Sequence, residues 1–282
     1  MVKRAALFVL AGAAAFAGER IVSTAPSITE MLYALGLGDR VVGVTTFCRY
    51  PQEAAKKPKI GTYLQPSVET ILALKPDLVL AEKSMIRQAV SLPKLRLNVV
   101  EVDDATIPGI YESIRTIGRL GGVFGRAEAL CASIRSGLDH VRRQTAGKPP
   151  RKVLFVVGRT PGKIEDLIAV GNASYLNEVL TIAGGMNLFG DAVAPYAKVS
   201  LEEVLARDPE VIVDIGEMAN TLGVTEEQKR AVVRLWGRYP SLSAVKRGRV
   251  FAVASDIYVV PGPRVVEAAR ELARMIHAPE GR

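Results

Sequence analysis

The side chains whose types and spacing could do chemistry in this chain are paired carboxylates and tyrosines, and they suit recognition better than bond making. Glu69 and Glu202 each stand third in a Ser-x-Glu unit, Ser67-Val68-Glu69 and Ser200-Leu201-Glu202, and a tyrosine precedes each unit by four residues, Tyr63 and Tyr196. A tyrosine buries roughly 150–250 Å² and carries a hydroxyl that donates or accepts. Two of them in equivalent settings could grip a flat ligand from both sides. Phe47-Cys48-Arg49-Tyr50-Pro51 is a polar-aromatic turn after a strand-like run, where ligand sites of α/β proteins commonly form. Ser255-Asp256-Ile257-Tyr258 and Pro261-Gly262-Pro263-Arg264 make a comparable loop late in the chain. Arg264 could hold an anionic group bidentately, or simply occupy the first turn of the last helix. Cys48 also has two uses. Its thiolate could meet a soft metal centre inside a macrocycle, or the residue could serve as a small buried hydrophobe.

Covalent catalysis finds no such support. The two histidines, His140 and His277, have no metal-ligand spacing to any Cys, Asp or Glu, and there is neither a Gly-x-Ser-x-Gly elbow nor a Walker loop. No enzyme activity and no resident metal are expected. Cys48 and Cys131 do not define a disulfide framework. The formal charge of +8 arises from 37 basic and 29 acidic side chains, scattered without a basic stripe interleaved with aromatics. That excess reads as solubility and weak attraction for anions, so no nucleic-acid partner is expected. Trp236, the single tryptophan, lies in a segment that reads as core. Gly184-Gly185 reads as a helix end.

The elements that must position these residues alternate between short β-branched runs and helical patterns, the mark of an α/β fold with mostly parallel sheets. Strands are expected at residues 20–24, 41–44, 78–81, 98–102 and 153–157, and a helix at 107–120. Ser27-Ile28-Thr29-Glu30 offers a capping box for a helix that stops at Gly36-Leu37-Gly38. Residues 67–80 recur as residues 200–213, with five of the 14 aligned positions identical. Each copy reads as a Ser N-cap, a short amphipathic helix, a Pro-acid turn and a buried strand, which points to two related Rossmann-like lobes. Between the copies, Leu130, Ile134, Leu138 and Val141 recur at helical spacing in a segment of about 20 residues, long enough to run roughly 30 Å across both lobes. The expected organisation is an N-terminal lobe over 18–124, a connecting backbone helix over 125–148 and a C-terminal lobe over 149–282. The lobes should open and close little.

Residues 1–17 are expected to be a cleavable signal peptide. Lys3 and Arg4 form a positive start, the apolar run after them is too short to span a bilayer, and Ala15-Phe16-Ala17 is a small-x-small cleavage pattern. The mature chain would start near Gly18, in the periplasm or otherwise outside the cytoplasm. A lipid anchor is not expected, because no Cys follows the cut.

Together, residues 20–30, the Tyr50-Pro51 turn, residues 72–79 and Ala183-Gly184-Gly185-Met186-Asn187 resemble the helical-backbone substrate-binding proteins of ABC importers, which take up cobalamin, haem and ferric siderophores. Residues 43–51 and 194–206 look most like the cobalamin-binding branch. The resemblance implies two α/β lobes on a backbone helix and a bulky metal-chelate ligand, cobalamin or a related corrinoid first, with haem or a ferric siderophore as the alternative. It implies a monomer that meets a permease dimer, with Glu69 and Glu202 docking into arginine pockets, one per lobe. It implies ligand contacts at Tyr50 and Asp256, with Cys48, Tyr63, Tyr196, Tyr258 and Arg264 around them. One departure stands out: the branch tends to carry tryptophan where this chain has Tyr63 and Tyr196. A secreted enzyme or sensor domain reusing the fold is the remaining alternative, since fold does not fix function.

Overall fold

In the computed structural model, residues 18–83, 97–216 and 223–279 are described. The expected signal peptide therefore lies outside the described residues. The first sheet holds four strands, β1 (Ile21–Ser23), β2 (Val41–Val44), β3 (Leu78–Glu82) and β4 (Val99–Val102), all parallel in the order β2-β1-β3-β4. β1 and β3, the inner strands, are almost wholly buried apolar runs, as a sheet covered on both faces requires.

The second sheet comprises β5 (Arg151–Gly158), β6 (Leu167–Val170), β7 (Gly185–Asn187), β8 (Tyr196–Val199), β9 (Val211–Asp214) and β10 (Val250–Ala252). Its path is β10-β9-β5-β6-β8, with β7 also paired to β5. The β5, β7, β9 and β10 pairings are parallel, whereas β6 pairs antiparallel with both β5 and β8. The fold is thus α/β with mostly parallel sheets, as the alternation of patterns leads one to expect.

The helix Phe124–Thr145 runs between the sheets; its 22 residues span about 33 Å. It buries Ala127, Cys131, Ile134, Leu138 and Val141; of the expected stripe, Leu130 is only half-buried, and Ala127 and Cys131 complete the buried face instead. Its neighbours are the helix Ile107–Leu120 before it and the helices Tyr175–Ile182 and Val265–Ile276 after it. Two glycines permit that packing. A Cβ at Gly118 would come within 2.4 Å of Ala127, and one at Gly137 within 2.6 Å of Val266. At its end, Thr145 Oγ1 donates to the Ile182 carbonyl at 3.1 Å. One continuous apolar core takes in Ile21 and Leu80 of the first sheet, Ile134 and Leu138 of the helix, and Phe155 and Val213 of the second sheet. A shared core of this kind opposes large hinge motions.

The repeated unit takes the same form twice. Ser67 caps the helix Val68–Ala73, its side chain accepting from Thr70 N at 3.2 Å. Ser200 caps the helix Leu201–Arg207 and forms a full capping box with Glu203. Both copies then turn through a left-handed residue, Lys75 (φ 46°) or Asp208 (φ 47°). The acid after each proline ties the unit to its lobe's first strand. Asp77 accepts from the Glu19 and Arg20 amides, and Glu210 from the Lys152 amide.

The expected capping box at Ser27–Glu30 does not form. The helix Pro26–Ala34 starts two residues earlier, with Ala25 at its N-cap and no side-chain cap, because Pro26 supplies the first turn without needing a donor partner. Glu30 therefore lies inside the helix, free for other use.

Candidate functional site

Loops that follow the C-terminal ends of the first sheet's strands, where open parallel sheets bind ligands, meet a loop of the second half. The meeting point is an ion-pair cluster. Arg264 donates from Nε to Glu30 Oε2 at 2.9 Å, from Nη2 to the other Glu30 oxygen, and from Nη1 to Asp256 Oδ1 at 2.9 Å. The guanidinium lies over the Tyr50 ring, 4.1 Å from its centroid, in cation–π geometry. Arg264 and Asp256 belong to the C-terminal sheet's half, and Glu30 and Tyr50 to the N-terminal half. The cluster thus fastens one lobe to the other. It brings together three expected site residues, Tyr50, Asp256 and Arg264, around a fourth that sequence reasoning assigned to a helix cap. Tyr50 keeps 47% of its surface exposed. Glu30 is 4% exposed, and burial raises its carboxyl to about 7 against the lowering pull of Arg264.

Tyr63 and Tyr196 are both half-buried against the core. Tyr63 donates its hydroxyl to Glu82, at the end of β3. Burial raises the Tyr196 phenol above its ordinary pKa. Hydrogen bonding to Ser174 opposes that, and the charges of Asp104 and Glu82 add to it. The two tyrosines, from opposite lobes, thus share one acidic neighbourhood at the ends of β3 and β4. Asp104 follows β4 and is 2% exposed; burial first, then Glu82, raises its carboxyl to about 7, opposed by hydrogen bonding to Ser27. A second contact between the halves lies close by in sequence, where the Ile107 amide donates to Glu178 Oε1 at 3.0 Å. Glu30, Glu82 and Asp104 were missed in the sequence. The signal that finds Glu82 and Asp104 is their position at the C-terminal ends of parallel strands.

Two expected contacts lie elsewhere. Cys48 is 0% exposed and hydrogen-bonded to Thr29 and Thr45 at 3.1 Å each. Burial pushes its thiol up, so the thiolate needed for a soft metal is disfavoured, and the buried-hydrophobe use is the one realised. Tyr258 is 3% exposed and packs edge-on to Phe155 at 5.8 Å, in the core beneath the loop that carries Asp256. A one-turn 3-10 helix, Asp256–Tyr258, points its first residue to the cleft cluster and leaves its last in the core. Trp236 is fully buried, as expected, and donates from Nε1 to Asp214 at 2.8 Å.

Glu69 and Glu202 are exposed in the first turns of the two repeat helices, where a carboxylate also complements the helix dipole. An open depression of ≈ 540 Å³ lies beside Glu202, away from the cleft, lined by Glu165, Asp166, Lys198, Ser200 and Glu203 among others. Among the described residues, no group of three or more His, Cys, Asp or Glu could hold a metal ion, and no helix is long and apolar enough to cross a membrane.

Residues 21–257 match the model of the periplasmic binding protein family. An uncharacterized ABC transporter substrate-binding lipoprotein of Bacillus subtilis is 34% identical over 92% of this chain and 80% of its own length. The crystal structure of the periplasmic vitamin B12 binding protein of Vibrio cholerae superposes with a TM-score of 0.77 at 27% identity, covering 92% of this chain and 96% of that one. The periplasmic heme-binding protein of Roseiflexus sp. RS-1 gives 0.78 at 25% identity, over 92% and 98%. The chain belongs to the periplasmic binding protein family of ABC importers.

Proposed function

We propose that this member of the periplasmic binding protein family works outside the cytoplasm, where it captures cobalamin or a related corrinoid between its lobes and delivers it to the permease dimer of an ABC importer. The carrying observation is the loop cluster shared by both lobes, in which Arg264 of one half holds Glu30 and lies over the Tyr50 ring of the other, in a chain that superposes on a vitamin B12-binding protein. A corrinoid is broad, flat and partly apolar, and needs aromatic faces with a few polar anchors. Tyr63 and Tyr196 provide the faces. Asp256 and Arg264, joined in the interlobe cluster, are the polar anchors within reach of the same space.

Recognition without covalent chemistry is the whole task in this reading, and the chain acts as a monomer exported by the signal peptide at residues 1–17. Glu69 and Glu202 stand on matching helices of the two lobes, so each can meet an equivalent arginine of a two-fold permease in a charge-assisted contact. Haem is the second reading. It is favoured by the likeness to the Roseiflexus protein and by tyrosine in place of tryptophan at both clamp positions, since a tyrosine oxygen can ligate haem iron.

Uptake of labelled cobalamin by cells that depend on this chain tests the proposal. Wild type should restore uptake, and the Glu69→Arg, Glu202→Arg double variant should abolish it while the purified variant still binds cobalamin. Uptake that persists in the double variant would remove the docking role.

A further inference from the structure

The two repeat helices carry the same exposed face. In the helix Val68–Ala73, Glu69, Leu72 and Ala73 are exposed; in the helix Leu201–Arg207, the aligned Glu202, Leu205 and Ala206 are. Residues three and four apart are neighbours on a helix surface, so each strip sets a leucine and an alanine beside its glutamate. The residue before each leucine, Ile71 or Val204, is fully buried. Each helix thus seats one apolar side chain in the core and keeps another outside. Leu72 is 42% and Leu205 37% exposed, two of nine large apolar side chains exposed among the described residues. A lone exposed leucine is ordinary, but here the same residue recurs at the same place on two lobes, each time beside a carboxylate. Glu203, the extra acid of the second copy, turns back to accept from the Ser200 amide, so each strip presents one outward carboxylate. Neither Glu69 nor Glu202 has an ion-pair partner among the described residues.

We infer that Leu72 and Leu205 are the apolar anchors of the docking surface, and that each subunit of the permease dimer covers one of them with an apolar side chain beside its cation. The inference rests on the docking reading above and adds the residues that hold the complex once charge has steered it together. A two-fold permease is the occupant that the strips fit. They occur twice, and the apolar core shared by both sheets holds them at a fixed separation, as contact with two equivalent subunits at once requires. A second copy of this chain would set glutamate against glutamate, and an anionic lipid surface would repel both strips. The exposed alanine in each strip leaves the face flat, so a partner can close over the leucine and shut water out from the neighbouring ion pair.

Binding of the purified, fluorescently labelled protein to right-side-out membrane vesicles tests this, the vesicles coming from the cells that naturally produce this chain, with its gene deleted. Leu72→Gln and Leu205→Gln keep a good helix former of similar length; each should weaken binding about tenfold and the pair about a hundredfold. Their salt dependence should match that of wild type. Glu69→Gln with Glu202→Gln should instead flatten the salt dependence, and Leu72→Met with Leu205→Met should restore wild-type binding. Wild type itself, with no variant needed, should bind more weakly as salt rises yet still bind at about 1 M, where charge attraction is screened. The inference is overturned if the Leu→Gln pair binds like wild type, or if wild-type binding vanishes at high salt. Equal binding to protein-free vesicles of the same lipids overturns it too, as does a dimer of this chain in sedimentation that Leu→Gln dissociates. Glu69→Arg with Glu202→Arg that binds as tightly as wild type sinks the docking reading itself. That result is distinct from lost binding in the glutamate variant with none lost in the leucine pair.

Discussion

Residues 63–82 and 196–215 carry the same unit on opposite lobes, and they agree on the outside while differing at their strand ends. Outside, each presents a serine-capped helix with an exposed glutamate in its first turn, Glu69 or Glu202. Toward the cleft, the first copy ends in Glu82, which accepts from Tyr63. The position aligned with Glu82 is the apolar Ile215, and the acid one residue before it, Asp214, is fully buried and held by Arg159 and Trp236. Carboxylates in the cleft thus come mainly from the N-terminal half, and the cation, Arg264, from the C-terminal half. The likeness suits a two-fold partner and the difference suits a ligand without symmetry. A duplicated unit can satisfy both because docking uses its helix starts and binding uses its strand ends.

The comparison breaks most severely at the cation. Arg264→Ala leaves Glu30 buried without its partner and should cost about 3–5 kcal/mol in urea unfolding. Exchanging both Glu30 and Arg264 for methionine should recover most of that loss, since a buried pair replaced by apolar side chains is often neutral. If the single variant is as stable as wild type, the lobes are not fastened there.

pH sharpens the contrast between halves. Glu30 and Asp104, both N-terminal, have carboxyls raised to about 7 by burial. A raised carboxyl binds protons more tightly in the folded than in the unfolded protein. Its contribution is therefore fully present below the ordinary carboxylate range, near pH 4, and is lost as pH rises through about 7. Stability should fall by roughly 3–4 kcal/mol per group between pH 4 and pH 8. Glu30→Gln should flatten its share of the slope. A pH-independent unfolding midpoint in wild type would contradict the burial argument.

The clamp should be nearly symmetric in affinity but not in hydroxyl chemistry. Tyr63→Ala and Tyr196→Ala should each weaken cobalamin binding about tenfold, or 1.4 kcal/mol. Tyr63→Phe should cost less than Tyr63→Ala, because it keeps the ring and loses only the bond to Glu82. Titration of the four proteins separates face from hydroxyl. The smallest difference is at the caps: Ser200→Ala should cost about 1 kcal/mol and Ser67→Ala about half that, as only Ser200 belongs to a full capping box. Equal losses would show that the box adds nothing.

Legibility in the sequence followed the range of the interaction. The expected strands, the backbone helix and both repeat units are local patterns, and they appear close to where periodicity and caps put them, whereas β6, β7, β8 and β10 carry no such signal. Ser-x-x-Glu is a local signature that points Glu30 to a cap, but its partner, Arg264, lies 234 residues away. Tyr258 shares a loop with Asp256, yet two residues of a one-turn helix point in different directions. Cys48 was open between two uses until Thr29 and Thr45, brought together by packing, enclosed it. Glu82 and Asp104 carry no motif at all. Only the parallel sheet order, which places their strand ends side by side, marks them as cleft residues.

Calorimetric titration of the purified protein with cyanocobalamin, alongside haem, tests the central claim most directly. The account predicts saturable cobalamin binding tighter than about 1 μM, or 8 kcal/mol, and weaker or no haem binding. Silence with cobalamin and a clear signal with haem would keep the fold and its paired glutamates, and would contradict the corrinoid assignment.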